Sequence, residues 1–282
     1  MASEARVNKD VSYLDLQGLA GVSKHTGGFP ATEELLSMCH IEDASEALEV
    51  GCGIGVGAAH MARKYGLRVV AVDISEKMLD WARQRAEQEG VAERVEFRLA
   101  NVLDLPFEAD RFDLVICESV LAFVQDKTAA IAEMKRVLKP GGYLGLNEVA
   151  WLGEPPAGLI DKASAGGMLG TEIVTVDRWR ELWAASGLED AEVRVCQIDA
   201  TEEVRSRIAW IGWRQVLRAW RRILPMFLTQ PAMRSSLKQL MDTPREWFGF
   251  CSYLLLAGRK SVPPESRRQS GGAQSRQSLG GA

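Results

Sequence analysis

Gly51, Gly53 and Gly55 alternate with other residues in the run Leu48-Glu-Val-Gly-Cys-Gly-Ile-Gly55, where an apolar stretch gives way to a helical pattern. Glycine at such a junction lets the chain turn sharply. It also lets a ligand meet main-chain N–H groups and the positive end of a helix with no Cβ in between. Asp73 follows about 20 residues on, at the end of the next apolar run, where a carboxylate accepts hydrogen bonds from both ribose hydroxyls of a nucleoside. Together these residues describe a nucleoside cofactor lying across the carboxyl edge of a parallel sheet.

The elements that must hold them there alternate in type. Strands are predicted at Ala47–Val50, Arg68–Val72, Arg94–Arg98, Phe112–Ile116 and Tyr143–Leu146. Between them, residues 56–65, 75–89 and 126–138 carry apolar residues three and four apart, with Ser75 and Asp126 as N-caps. A further helix with its own cap and stop is read from Asp177, Trp179, Leu182, Trp183 and Gly187, followed by strands near Glu192–Cys196 and Cys251–Leu256. Strand and helix taking turns implies βαβ units, so the expected fold is α/β: a Rossmann-like, seven-stranded, mostly parallel sheet with helices on both faces.

The glycine run alone is ambiguous, because Gly53-x-Gly55-x-x-Ala58 also satisfies the dinucleotide form G-x-G-x-x-A. Glu49 decides between the two, since an acidic group two residues before Gly51 suits a cationic ammonium and repels a pyrophosphate. That favours S-adenosylmethionine over NAD. With Val72-Asp73-Ile-Ser, Asn101-Val-Leu-Asp-Leu-Pro-Phe107 leading into Phe112–Glu118, and Arg136-Val-Leu-Lys-Pro-Gly-Gly142 in the same order, residues 25–150 resemble the class I S-adenosylmethionine-dependent methyltransferases of the small-molecule branch. The resemblance implies that Glu49, Gly51, Gly53 and Gly55 surround the methionine part and that Asp73 holds the ribose. It places Ile74 on the adenine, Asn101 and Val102 at the adenine edge, and Glu118 beside the methionine moiety. It also implies a sheet closed by an antiparallel final hairpin. Asn101 stands where an acidic residue is usual, and its carbonyl oxygen is left to meet the adenine amino group.

A sulfonium methyl is already activated, so a protein must chiefly hold a nucleophile in line and exclude water. A base is needed only when the acceptor arrives protonated. The candidates are Glu148, taken to follow the fifth strand and face the cofactor edge; His25, in a segment that passes over the cofactor in related enzymes; and Tyr13, in an N-terminal helix covering the site. His40 and His60 fall within predicted helices. No metal site is expected, since the five cysteines show no C-x-x-C spacing.

With 282 residues, 46% apolar and 26% charged, the composition excludes a collagen, a coiled coil and a wholly disordered chain. Odd, scattered cysteines and a polar N-terminus without a signal-peptide layout favour a cytoplasmic location. Residues 1–200 carry 20 Lys/Arg against 33 Asp/Glu, whereas residues 201–260 carry 11 against 4. The basic part is predicted as a helix over Glu203–Leu228, with a second helical stretch over Pro231–Met241. Its arginines interleave with Trp210, Trp213 and Trp220. Two readings stand: a lid over a pocket for an apolar or amphiphilic small-molecule acceptor, or an interfacial helix giving peripheral membrane contact through residues 203–228. The latter would suit methylation of a membrane lipid or quinone. A cofactor-binding regulator without transfer activity is a third possibility. Nucleic acid is not an expected partner, because the body is acidic and carries no recognised binding motif. The expected organisation is an N-terminal helical cap segment (1–45), a core (46–200), the basic insertion (201–247), a final core strand (248–260) and a disordered tail (261–282).

Overall fold

The computed structural model describes residues 25–156, 158–160, 171–198, 213–229 and 247–263. Seven strands form one sheet: β1 (Glu46–Val50), β2 (Arg68–Asp73), β3 (Val95–Leu99), β4 (Phe112–Glu118), β5 (Leu138–Trp151), β6 (Glu189–Gln197) and β7 (Cys251–Arg259), in spatial order β3-β2-β1-β4-β5-β7-β6. The first five are parallel, and β7 runs antiparallel between β5 and β6. The final antiparallel pair and the seven-stranded α/β architecture therefore match the sequence expectation.

Around the sheet lie α1 (Gly28–Met38), α2 (Val56–Lys64), α3 (Glu76–Gln88), α4 (Lys127–Val137), α5 (Val176–Ala185) and α6 (Trp213–Thr229). The Ser75 hydroxyl accepts the Met78 N–H, and the Asp126 carboxylate accepts the Ala129 N–H, so both expected caps start their helices. At α5 the cap is Thr175 rather than Asp177, which lies in the first helical turn. His60 lies in α2 as expected; His40 instead follows α1 in a left-handed conformation, outside any α-helix.

Alternation along the strands sorts side chains onto two cores. Leu48, Val50, Val115, Cys117, Leu144 and Leu146 face α4 and α5, packing on Ile131, Met134, Trp179 and Trp183. Ala47, Val69, Ala71, Leu114 and Ile116 face α1 and α2, packing on Leu35, Leu36, Ala58 and Met61. This two-sided burial explains why the parallel strands read as unbroken apolar runs. The same parity places Glu49 on the α2 face of β1, and Glu118 and Asn147 on the α1 face of β4 and β5.

Tyr13, the second basic stretch Pro231–Met241, residues 203–212 of the first, and the tail beyond residue 263 lie outside the described residues. Among the described residues, no helix is long and apolar enough to cross a membrane.

Candidate functional site

Strand order reverses between β1 and β4, and the crevice opened there at the carboxyl ends of the strands is where open α/β sheets bind ligands. The glycine loop lies at this point. Gly51, Gly53 and Gly55 all have positive φ, at 73°, 53° and 74°. The N–H groups of Gly51 and Cys52 donate to the Val72 carbonyl, tying the loop to β2. Space is as restrictive as conformation: a Cβ on Gly51 would stand 2.2 Å from Val120 Cγ2, and one on Gly55 2.8 Å from Ala82 Cβ.

Asp73, at the end of β2, reaches into the loop. One carboxylate oxygen accepts the Gly53 N–H at 2.9 Å and the other accepts the Ser75 N–H at 2.9 Å. Burial pushes its pKa up, opposed by these backbone donors. The Ile74 N–H is a third backbone donor, which leaves the carboxylate acceptor capacity for a further donor.

Glu49 is the most constrained group in the crevice. Its carboxylate points at α2, where a Cβ on Gly57 would stand 2.0 Å from Oε1. Oε2 is buried and has no hydrogen-bond partner. Burial, and secondarily the negative charges of Glu118 and Asp73, push the pKa up to about 8. A buried acceptor without a donor is costly, so this oxygen is prepared for a cationic donor that the polypeptide does not supply.

Glu118, at the end of β4, is held by three elements. The Thr32 hydroxyl of α1 lies 3.1 Å from both of its oxygens, and Asn147 Nδ2 of β5 donates to Oε1 at 3.2 Å. Asn147 Nδ2 also donates to the Thr26 carbonyl at 2.9 Å. His25 is buried here, with Nδ1 3.7 Å from Glu118, Nδ1 3.3 Å from the Thr26 carbonyl and Nε2 3.3 Å from Thr32 Oγ1. The segment preceding α1 is thus stitched to the end of β4 and to Asn147 within β5, and both His25 nitrogens face protein oxygens.

Farther along the edge, Ile74 is 67% exposed and Leu103 43% exposed, while Val102 is buried. Asn101 Oδ1 accepts the Leu103 N–H at 3.0 Å, so the oxygen expected at an adenine edge already caps a local turn.

Glu148 requires a correction. It does not follow β5 and does not line the crevice; it lies within β5, fully buried, on the face opposite Asn147. The strand runs on to Trp151 because β7 pairs with it residue for residue up to Trp151 opposite Cys251. A strand taken to end at Leu146 hides this parity. Oε1 accepts the N–H groups of Val120 and Leu121 at 2.9 and 2.8 Å, so the carboxylate holds a turn.

The crevice thus gathers Glu49, Gly51, Gly53, Gly55, Asp73, Ile74, Asn101, Val102, Glu118 and His25 along one edge of the sheet. It excludes Glu148, and Tyr13 lies outside the described residues. Thr32 and Asn147 were missed. Asn147 and Glu148, side by side in the apolar run Tyr143–Trp151, were the available signal. All five cysteines are free thiols, and the described residues hold no cluster of His, Cys, Asp and Glu suited to a metal.

Residues 48–146 match the methyltransferase domain family. An uncharacterized protein of Haemophilus influenzae is 30% identical over 185 residues, covering 65% of this chain and 74% of that protein. The 27-O-demethylrifamycin SV methyltransferase of Amycolatopsis mediterranei is 33% identical over 161 residues, 56% of this chain and 59% of that enzyme. The chain therefore spans less than two thirds of the latter. Among solved structures, an S-adenosylmethionine-dependent methyltransferase of Geobacter sulfurreducens in complex with S-adenosylhomocysteine superposes with a TM-score of 0.66, covering 88% of this chain and 98% of that one at 19% identity, which shows a shared fold. The glycine crevice, the sheet order and the matched domain agree, and the chain belongs to the class I S-adenosylmethionine-dependent methyltransferases.

Proposed function

We propose that this protein transfers a methyl group from S-adenosylmethionine to a small, apolar or amphiphilic acceptor by in-line displacement. The observation that carries the reading is the orphaned, buried Oε2 of Glu49 beside a glycine loop in which Gly51 and Gly55 leave no room for a Cβ. That site fits the cofactor's ammonium next to backbone N–H groups. Asp73 would take the ribose hydroxyls, and Ile74 would cover the adenine, with Val102 and Asn101 at its edge. Glu118 would lie beside the methionine portion. The cofactor supplies a methyl already activated by its sulfonium, so the protein's work is placement and exclusion of water. His25, with both nitrogens facing protein oxygens, is better suited to fastening the segment over the crevice than to taking a proton from an acceptor. A thiolate or neutral amine needs no base. The relative named for 27-O-demethylrifamycin SV supports a small-molecule acceptor over a macromolecular one. Five free thiols fit a cytoplasmic setting.

Calorimetric titration with S-adenosylmethionine and with NAD tests the cofactor. Saturable binding of the sulfonium compound alone is expected, and binding of NAD instead would remove the reading.

A second reading concerns where the acceptor is found. Trp213, Leu217, Trp220, Leu224 and Leu228 of α6 recur four, three, four and four residues apart, which puts them on one helical face, and all are exposed, the tryptophans at 62% and 63%. Arg221 is exposed on the same helix, and Arg218 donates to Gln88 of α3 at 3.3 Å. An apolar stripe with tryptophans and arginines suits an anionic bilayer surface, from which an amphiphilic acceptor would be drawn. Flotation with phosphatidylglycerol vesicles should carry the protein upward, with binding lost in high salt and in the Trp213→Ser, Trp220→Ser variant. Equal behaviour with phosphatidylcholine alone, or no flotation, leaves α6 as a lid.

A further inference from the structure

Five independent contacts converge on the short segment Ser119–Phe123 that follows β4. Ser119 has a left-handed backbone, with φ 58°, and its N–H donates to the Asn147 carbonyl at 2.7 Å. The Thr26 N–H donates to the Ser119 hydroxyl at 3.3 Å, bringing in the segment before α1. The Val120 side chain presses on the glycine loop at Gly51. The Ala122 carbonyl accepts the Glu172 N–H at 2.7 Å, bringing in the segment before α5. The fifth contact comes from beneath, where Glu148 Oε1 accepts the N–H groups of Val120 and Leu121. Consecutive N–H groups converging on one anion make a backbone nest, here filled by a side chain of the protein itself.

From this geometry we infer that Glu148 is a positioning residue whose ionised carboxylate draws the 119–123 turn onto the glycine loop, so that order at the cofactor edge depends on pH. This goes beyond the proposed activity and does not depend on which acceptor is used.

The groups facing Glu148 are few. Lys127, at the start of α4, is buried; its ammonium donates to the Val124 carbonyl at 3.0 Å and to Glu172 Oε2 at 2.9 Å, and its charge favours the ionised Glu148. The Cys117 thiol on β4 is fully buried and kept protonated by burial and by Glu148 itself. Leu254, opposite on β7, is apolar. Oε2 is buried without a partner. Burial pushes the Glu148 pKa up to about 7, against the pull of the N–H donors and Lys127, so both forms are populated near neutrality.

Ionisation has opposite consequences for the turn and for the whole fold. Charge-assisted N–H bonds tighten the turn as pH rises. The buried charge lowers global stability over the same range, because the folded pKa exceeds the unfolded one. A merely structural residue would move both in the same direction.

The test is hydrogen exchange on the S-adenosylhomocysteine-bound protein, read on peptides spanning 115–126 and corrected for intrinsic rates, with melting temperature measured in parallel. Protection of this segment should rise several-fold from pH 6 to pH 8 while melting temperature falls. Glu148→Gln, which keeps one acceptor oxygen but no charge, should hold protection at its pH 6 level throughout. Lys127→Met should move the midpoint upward, a check that stands even if the glutamine variant folds poorly. Protection independent of pH in the native protein, or a pH dependence that survives Glu148→Gln, would overturn the inference. Loss of cofactor binding would instead count against the methyltransferase reading.

Discussion

Glu49 cannot carry its charge comfortably inside β1 until a cation arrives. With its pKa pushed up to about 8, the carboxylate is mostly protonated at pH 7, and a bound ammonium must release that proton. Cofactor affinity should therefore rise with pH toward 8. Calorimetry at pH 7 in two buffers of different ionisation enthalpy should show a proton released on binding. Glu49→Gln should abolish that release and weaken binding at least about tenfold, given roughly 1.5–3 kcal/mol for a hydrogen bond to a charged group. Gly57→Ala tests the same carboxylate from the helix side. Alanine improves intrinsic helix propensity by about 1 kcal/mol, but its Cβ would stand 2.0 Å from Glu49 Oε1. The clash should dominate, lowering both melting temperature and cofactor affinity. Glu49 and Asp73 were legible in the sequence because a short loop and one strand fix their positions relative to the glycines. Thr32 and Asn147 were not, since their meeting at Glu118 depends on how α1 packs on β4 and β5, which no local spacing encodes.

At the level of elements, the cores of α2, α3 and α4 and the first four strands were readable because caps, glycines and apolar period agree there. β5 was not. Pro140-Gly-Gly142 looks like a stop, and the strand's extension to Trp151 is imposed by β7, about a hundred residues later in sequence. That error alone moved Glu148 from the interior to the crevice. On α6 the difficulty is of another kind, since the pattern announces an amphipathic helix without saying what its apolar face meets. Exposure of that face gives a definite expectation: Trp220→Ser with Leu224→Ser should leave stability within about 0.5 kcal/mol, because both side chains are exposed. Denaturant melts of the double variant check this, and a larger loss would mean that the stripe is buried in solution.

For the whole molecule, two buried carboxylates among the described residues shape the pH response. Glu49 and Glu148 have folded pKa values near 8 and 7, above the ordinary 4.5, so their contribution is fully present below the ordinary value and is lost as pH rises through the folded ones. Asp113, pulled down to about 2 by Lys139 and Ser45 despite partial burial, acts oppositely but only in acid. The ligand-free protein should melt at a lower temperature at pH 8.5 than at pH 5.5. Glu49→Gln and Glu148→Gln should each flatten that slope, and an unchanged slope in both would assign it elsewhere. The register of the last strand pair has a separate consequence. Gln197 lies opposite Ser252, so everything between them leaves and rejoins the sheet at one rung of the ladder. The two strand ends can therefore be joined by a connection of another length without re-threading the sheet, since loop closure costs only about 0.6 kcal/mol per doubling of length. A chain in which a short turn joins Gln197 to Ser252 should still pair β6 with β7 and bind cofactor, which a melt and a calorimetric titration check.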